Sequence, residues 1–466
     1  MSETADHTRH EQLAHVLREH PAVTDAVVTD GPDGRAHAHL VPDPVAAPVL
    51  HRSVALQAGG RLGGLGWHEP DGEIRVAGIN RRETDFLHRE IVTDDSYFRH
   101  GITLPPGAVV VDVGANIGMF TLHAARRSPG ARIIAVEPVT ELADAVALNA
   151  ELHDVDATVL RTALGRTDGE TAFTFYPHNT VMSGRFADAS DDPDVLRDYL
   201  LTGEEAHRGE HLDRLVTDRM AAQVRRVPVT TLSAVVREHG LTRVDLLKID
   251  VEKAEAEVLD GIDDTVWPSI ERIVMEVHDI DERLAAVLTR LRARGFHVTV
   301  EQDPRLARTP CHNVYARRPE ADTEAAPPTT AAGVPTLRRL EEELRELLAR
   351  RMPSATPPDR YTLATDPTAT DARRPAAPQP ASASPRVAVL ARIWSELFGP
   401  NSVRPDADFF DLGGNSLTAV RLMAAVEGEL GEDALTPDLI FTDSTFGALA
   451  AAVEGPPPVP SRTETG

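Results

Sequence analysis

The chain has one cysteine, Cys311, and only two lysines, Lys248 and Lys253, in 466 residues. A single cysteine cannot close an internal disulfide, and no cysteine framework or metal knuckle is present. With 48 basic against 73 acidic side chains the formal net charge is −25. That argues against nucleic acid as a partner, because phosphate contacts need basic surface. No apolar run approaches the roughly 18 residues of a membrane-spanning helix, and Met1-Ser-Glu-Thr-Ala-Asp-His lacks the apolar core of a secretion signal. These absences predict a soluble cytoplasmic protein with no membrane partner. The length is that of about three domains.

What is present is a short, wholly apolar run that ends in an acid and a glycine-rich turn, Val109-Val-Val-Asp112-Val-Gly114-Ala-Asn116-Ile-Gly118. Buried parallel strands read as such runs, and ligands of parallel sheets bind beyond the strands' carboxyl ends. Gly114 and Gly118 let the backbone approach a ligand that a Cβ would push away. Asp112 could hold a ligand ammonium directly or through water. A second run, Arg132-Ile-Ile-Ala-Val-Glu137, ends in an acid placed to accept bonds from ribose hydroxyls. The ligand is therefore expected to be nucleotide-like. The dinucleotide fingerprint G-x-G-x-x-G would need glycine where Asp112 stands. The D-x-G-x-N-x-G loop resembles instead the S-adenosylmethionine site of class I methyltransferases. That resemblance implies Asp112, Gly114, Asn116, Gly118 and Glu137 as cofactor-binding residues. Tyr97 and His100, just before the first strand, could close over the cofactor or the acceptor.

From 108 to 317 strands alternate with helices, the sign of an α/β, doubly wound parallel sheet. Strands are expected near 108–112, 132–137, 157–161, 244–250, 271–278, 295–301 and 312–317. The last two would form the antiparallel edge usual in class I methyltransferases. The polar stretch Asp188 to Met220 could be a substrate lid or a surface insertion. Ahead of the sheet, a hairpin is expected with its turn at Pro70-Asp71-Gly72. A helix over Glu83–Val92 is expected, with Phe86, Leu87 and Ile91 on one side.

A second signature, Leu246-Leu-Lys248-Ile-Asp250-Val-Glu252-Lys253-Ala-Glu255, together with the glycine loop and Pro228-Val-Thr-Thr-Leu, resembles the FkbM-type methyltransferases over about 80–318. Most of that family are O-methyltransferases. Lys253 is a departure, since stand-alone members commonly have glycine there; lysine resembles the versions embedded in peptide and polyketide synthases and implies a tethered substrate. Methyl transfer from a sulfonium is an in-line displacement that depends on alignment, and an aliphatic hydroxyl needs a base. The strand ends deliver three candidates. His278 comes first, because histidine titrates near neutral pH; Asp250 would orient it or the substrate, and Glu252 comes third. His278 could also be a strand-end residue bonded only to backbone. Lys248, mid-strand, reads as a salt-bridge partner for nearby acids. Asp112 and Asp250 could be half of a divalent-metal site, but nothing else in the sequence supports one, and no metal is expected.

The flanks are of another kind. Residues 1–45 read helix, strand, turn, strand, and His20-Pro-Ala-Val-Thr-Asp-Ala-Val-Val resembles the start of the C-terminal subdomain of nonribosomal adenylation domains. The amphipathic helix Thr336–Arg351 and the segment to 372 resemble its second half, as though the methyltransferase (50–320) were inserted into it. That subdomain's lysine falls here at Thr370, so a separate adenylating enzyme is expected to load the chain. After a Pro/Ala/Ser-rich linker, 373–385, comes a four-helix domain over 386–456. Its Asp408-Phe-Phe-Asp-Leu-Gly-Gly-Asn-Ser416-Leu resembles a peptidyl carrier protein, which implies 4′-phosphopantetheine on Ser416, a phosphopantetheinyl transferase, and downstream condensation or other synthetase domains. Ser416 would stand at a helix N-cap after a glycine turn, where a phosphodiester is welcome. Over 386–455 there are 4 Arg against 11 acids, as suits a carrier that visits basic docking faces. The expected activity is O-methylation of a hydroxyl on an acyl or aminoacyl group held on Ser416, in nonribosomal peptide or hybrid polyketide biosynthesis. The alternatives are a nitrogen or carboxylate acceptor, or a carrier scaffold whose methyltransferase is silent.

Overall fold

A computed structural model describes residues 2–31, 35–177, 179–187, 222–303, 309–319, 333–367, 384–399 and parts of 402–454. The stretch 188–220, Thr370 and most of both linkers lie outside the described residues. The chain divides into two compact units, one formed by 1–172 with 226–371 and the other by 173–225 with 372–466.

Helix α1 (Ser2–Leu17) and the antiparallel strands β1 (Val23–Asp30) and β2 (Ala36–Pro42) open the first unit. Helix α2 (Pro48–Ala58) starts on proline, whose missing N–H is no loss in a first turn. Helix α3 (Arg81–His88) is capped by Asn80, which accepts the Glu83 N–H at 2.9 Å and donates to the Glu83 carboxylate at 2.7 Å. It ends sooner than its apolar pattern suggests and passes into a π-helical turn, Arg89–Thr93. The hairpin ahead of it forms as expected, with Gly66–His68 paired to Val76–Gly78.

The alternating elements then follow: β3 (Val109–Val113), α4 (Met119–Arg127), β4 (Arg132–Val136), α5 (Thr140–His153), β5 (Ala157–Leu160), α6 (Leu232–Glu238), β6 (Leu246–Ile249), α7 (Glu255–Asp260), β7 (Arg272–His278), α8 (Arg283–Ala293), β8 (His297–Glu301) and β9 (Cys311–Arg317). The seven strands form one sheet in the order β8-β9-β7-β6-β3-β4-β5. From β7 to β5 the neighbours are parallel, and β9 runs antiparallel between β7 and β8. This is the class I methyltransferase arrangement with its antiparallel edge. The apolar runs predict burial on both faces, and Val111, Ile134, Leu247 and Ile273 are fully buried. Strand order reverses between β3 and β6, so the crevice beyond their carboxyl ends is the place for a ligand.

The unit closes with α9 (Leu337–Arg351) and β10 (Arg360–Leu363), which lies parallel to β2. Leu340, Leu344 and Leu348 of α9 and Tyr361 of β10 share one core with Leu13, Leu17, Val28 and Leu40. The two flanking segments therefore complete one α+β module with the sheet domain running between them. Its points of departure and return meet, for the Val334 N–H donates to the Ala46 carbonyl at 2.8 Å. Glu69 of the hairpin locks the return, accepting the N–H groups of Leu337 (2.8 Å) and Arg338 (3.1 Å) in the first turn of α9. A carboxylate there satisfies orphan donors and meets the positive end of the helix dipole. Helix α2 and strand β10 fall where the sequence pattern shows neither.

The second unit contains α10 (Pro385–Phe398), α11 (Ser416–Leu430) and α12 (Phe446–Glu454). They pack around Trp394, which meets Phe398, Phe409 and Phe446 edge to face and donates its indole N–H to the Ser402 carbonyl at 3.1 Å. Helix α11 begins at Ser416.

Candidate active site

The glycine loop leaves β3 by turning sharply. Gly114 and Gly118 both have left-handed backbones, φ +78° and +85°. A Cβ on Gly114 would stand 1.8 Å from the Asp250 carbonyl oxygen. Glycine is required there by the close approach of two strand ends as well as by its dihedral. Asn116, also left-handed at φ +51°, donates its N–H to Glu137 at 2.9 Å. Glu137 follows β4, is 4% exposed, and accepts the Val139 N–H through its other oxygen at 2.9 Å. Burial pushes its pKa up to about 7 against the pull of those two N–H groups. The acid and the loop are thus one hydrogen-bonded object at the carboxyl ends of β3 and β4.

Asp112 takes a different place from the one expected of a ligand-facing acid. It is fully buried, accepts the Thr121 hydroxyl at 2.7 Å and pairs with Lys248 at 3.2 Å. Its part is inside the fold, behind the loop. Lys248 also donates to the Gly114 carbonyl at 2.6 Å and lies 3.5 Å from Asp250. Burial alone would lower its pKa, but Asp112 and Asp250 outweigh burial and hold it above the ordinary value. The salt-bridge reading of this mid-strand lysine is what the structure has.

Tyr97, 3% exposed, donates its hydroxyl to Asp250 at 2.8 Å and packs edge to face on Phe120. Burial, and then Asp250, push its pKa well up. His100 lies toward the sheet's edge. It pairs with Glu301 at 2.7 Å and packs against Tyr315, on β8 and β9. Strand β8 stands four strand spacings from β3, about 19 Å, so those partners draw His100 away from the glycine loop.

The ends of β6 and β7 bring Asp250, Glu252 and His278 together with two acids that the sequence did not single out, Glu255 and Glu276. His278 Nδ1 lies 2.9 Å from Glu255, and Nε2 lies 3.3 Å from Glu252 and 3.8 Å from Glu276. Burial opposes its charge, yet Glu252, Glu255 and Glu276 push its pKa up to about 10. The same acids favour the charged imidazole over the neutral one. Burial, and then the neighbouring Asp250, raise Glu276 to about 7. Burial also raises Glu252 well above the carboxylate range; His278 opposes this, and Glu276 and Asp250 add to it.

The loop Asp250–Ala254 that carries these groups is strained. Glu252 (φ +45°) and Lys253 (φ +71°) are both left-handed. The loop is held from outside, with the Lys253 N–H donating to Glu255 at 2.8 Å and Arg283 donating to the Lys253 carbonyl at 2.6 Å. A side chain in this region costs about 1–2 kcal/mol, and glycine's extra chain entropy offsets about 0.5–1 kcal/mol of that. Lys253→Gly is thus expected to leave the thermal midpoint of the first unit unchanged or raised by a few degrees. A clear fall in a calorimetric scan would assign the stability to the lysine side chain instead.

A parallel sheet with this strand order, a glycine loop tied to an acid on the next strand, and a cluster of proton-accepting groups across the switch point define a class I, S-adenosylmethionine-dependent methyltransferase. Residues 112–298 match the family described as Methyltransferase FkbM domain, and residues 388–453 match the phosphopantetheine attachment site. The chain is similar to the 31-O-demethyl-FK506 methyltransferase FkbM of Streptomyces tacrolimicus, at 43% identity over 52% of this chain and 93% of that protein. It is also similar to the AMB antimetabolite synthetase AmbE of Pseudomonas aeruginosa, at 34% identity over 96% of this chain and 22% of that protein. It spans only about a fifth of AmbE's length. The crystal structure of methyltransferase FkbM from Methylobacillus flagellatus aligns at 13% identity and a TM-score of 0.31, covering 47% of this chain and 46% of that one.

The chain belongs to the FkbM methyltransferase family, and it joins that methyltransferase to a phosphopantetheine carrier domain. Among the described residues no helix is long and apolar enough to cross a membrane.

Proposed function

We propose that this protein O-methylates a hydroxyl on an acyl or aminoacyl group held as a phosphopantetheine thioester on Ser416, within nonribosomal peptide or hybrid polyketide assembly. The observation that carries the reading is the joining, in one chain, of a methyltransferase of this family to a carrier. The relatives support each half, one by its O-demethyl substrate name and the other by its synthetase name. A phosphopantetheinyl transferase would arm Ser416, a separate adenylating enzyme would load it, and condensation or other synthetase domains would take the product.

S-adenosylmethionine would lie over Gly114–Gly118 with its ribose hydroxyls donating to Glu137, while Asp112 supports the loop from behind through Thr121 and Lys248. The acceptor hydroxyl would meet Asp250 and Glu252, the more open carboxylates of the cluster at 28% and 22% side-chain exposure. Asp250 would take the proton-accepting role, because burial favours the protonated form of Glu252 and His278 Nε2 already faces Glu252.

The ribose contact has a pH signature. Glu137 gains its charge as pH rises through about 7, and a carboxylate accepts ribose hydroxyls better than a carboxyl group does. Calorimetric titration of the full chain with S-adenosylmethionine is expected to show affinity rising from pH 6 to pH 8, by up to about tenfold per pH unit below the pKa. Glu137→Gln should flatten that profile and weaken binding at pH 8 by roughly ten- to a hundredfold. Unchanged affinity in Glu137→Gln would place the ribose elsewhere.

A further inference from the structure

Residues Glu276 and His278 are two apart on β7 and so share a face of the sheet. On the neighbouring antiparallel strand β9, Cys311 stands directly opposite His278 in the register. The carboxyl end of β7 therefore gathers an oxygen, a nitrogen and a sulfur donor. One such atom from each of the three lies within 4.8 Å of the others. We propose that Glu276, His278 and Cys311 form a three-ligand site for a zinc-class divalent cation, open in its fourth position toward Asp250 and Glu252.

The donor chemistry fits such an ion. Thiolate, imidazole and carboxylate together suit zinc and its close neighbours better than magnesium or calcium, which take oxygen only. Three protein ligands with one open position is the pattern of catalytic rather than structural zinc. Bonds of about 2.0–2.3 Å place tetrahedral ligand atoms some 3.3–3.7 Å apart, so closure needs side-chain rotation of about an ångström and no movement of the strands.

The orientation of His278 is a separate observation. Its Nδ1 is held at 2.9 Å by Glu255, which is fully buried and is itself fixed by Arg283 at 3.1 Å and by the Lys253 N–H at 2.8 Å. A buried carboxylate behind one ring nitrogen is how proteins set the tautomer and direction of a metal-binding histidine. It leaves Nε2 aimed at Glu252 and Glu276. Four carboxylates (Asp250, Glu252, Glu255 and Glu276) converge here against His278, Arg283 and a Lys248 that is shared with Asp112. Entry of a dication would form bonds to Glu276, to His278 Nε2 and to Cys311 Sγ. The imidazolium and thiol protons pass to solvent.

The inference rests on the O-methylation reading for its purpose, since an acceptor hydroxyl in the fourth position would ionise near neutral pH. Its test does not depend on that reading. Because Cys311 is the only cysteine, any sulfur-to-metal charge-transfer band must come from it. Full-length protein, stripped with a chelator and titrated with Co²⁺, is expected to bind one equivalent, with tetrahedral visible bands and a near-ultraviolet charge-transfer band. Cys311→Ser should lose the near-ultraviolet band. Glu255→Gln should keep the spectrum but weaken binding about 10- to 100-fold, and His278→Ala should weaken it at least as much. Absence of stoichiometric Co²⁺ binding in a sample that still binds S-adenosylmethionine overturns the site and leaves the methyltransferase reading standing. A spectrum without the sulfur band, or one unchanged by Cys311→Ser, overturns it as well. Co²⁺ binding with the sulfur band in a sample that does not bind S-adenosylmethionine supports the site and removes the methylation reading.

Discussion

Lys248→Met is expected to destabilise the first unit by about 3–5 kcal/mol, because removing one partner of a buried ion pair leaves the other charge uncompensated. The stranded charge is Asp112, which is fully buried and, among the described residues, is held by the Thr121 hydroxyl and Lys248. The lysine also holds the Gly114 carbonyl and borders Asp250, so the glycine loop and the end of β6 should loosen together. Scanning calorimetry would register a large drop in the transition of this unit, and S-adenosylmethionine should bind weakly to what remains folded. The double variant Lys248→Met/Asp112→Leu is the discriminating control. With both charges gone, apolar side chains can fill the space at little cost, so stability should recover much of the loss while cofactor binding does not. A single variant as stable as wild type would show that the fold does not depend on the Lys248–Asp112 pair.

The second large effect concerns the tether. Tethering gives an effective concentration on the order of millimolar for short linkers. From Arg351, where α9 ends, to Val387 the chain runs for about 35 residues. Strand β10 shortens it, because Arg360–Leu363 belongs to the packed module and only residues 364–384 remain before α10. Methylation of an acid loaded on Ser416 is expected to exceed that of the same acid free at about 10 μM by about a hundredfold or more. Intact-protein mass spectrometry in single-turnover mode would follow it as the gain of one methyl group. Ser416→Ala should gain no phosphopantetheine from a phosphopantetheinyl transferase and coenzyme A, and should abolish the bound reaction altogether. Equal rates for bound and free acid would sink the tethered-substrate reading.

The sheet could be read from the sequence because its strands are apolar runs spaced by helices, a pattern that survives without knowledge of contacts. The strand at 360–363 could not. It is four residues long, and its partner β2 lies more than 300 residues earlier in the sequence. Helix α2 begins on Pro48 in a stretch whose prolines read as a boundary, although proline is at home in a first turn. At the site, the individual residues His278, Asp250 and Glu252 were legible as strand-end groups. What they do to one another was not, since Glu255 follows on α7 and Glu276 precedes on β7, and only the fold gathers Glu252, Glu255 and Glu276 around the imidazole. His100 shows the opposite case, a position that its sequence neighbours do not reveal. It is near Tyr97 in sequence, yet a left-handed turn at φ +52° sends it to Glu301 on the sheet's edge.

The hydrogen bond between Val334 and Ala46 has a meaning for heredity as well as for packing. A segment whose two ends coincide can be lifted out, or traded for another, without stretching what it leaves behind. A turn of a few residues joining Ala46 to Val334 would restore an uninterrupted α+β module, and any catalytic domain with adjoining termini could be spliced in at the same seam. The transplant would have to replace the Glu69 carboxylate over the start of α9, the bond from the Thr336 hydroxyl to the Gly72 carbonyl, and the packing of Leu50 in the module's core. Exchange at that seam would replace the catalytic segment while leaving the flanking α+β module intact.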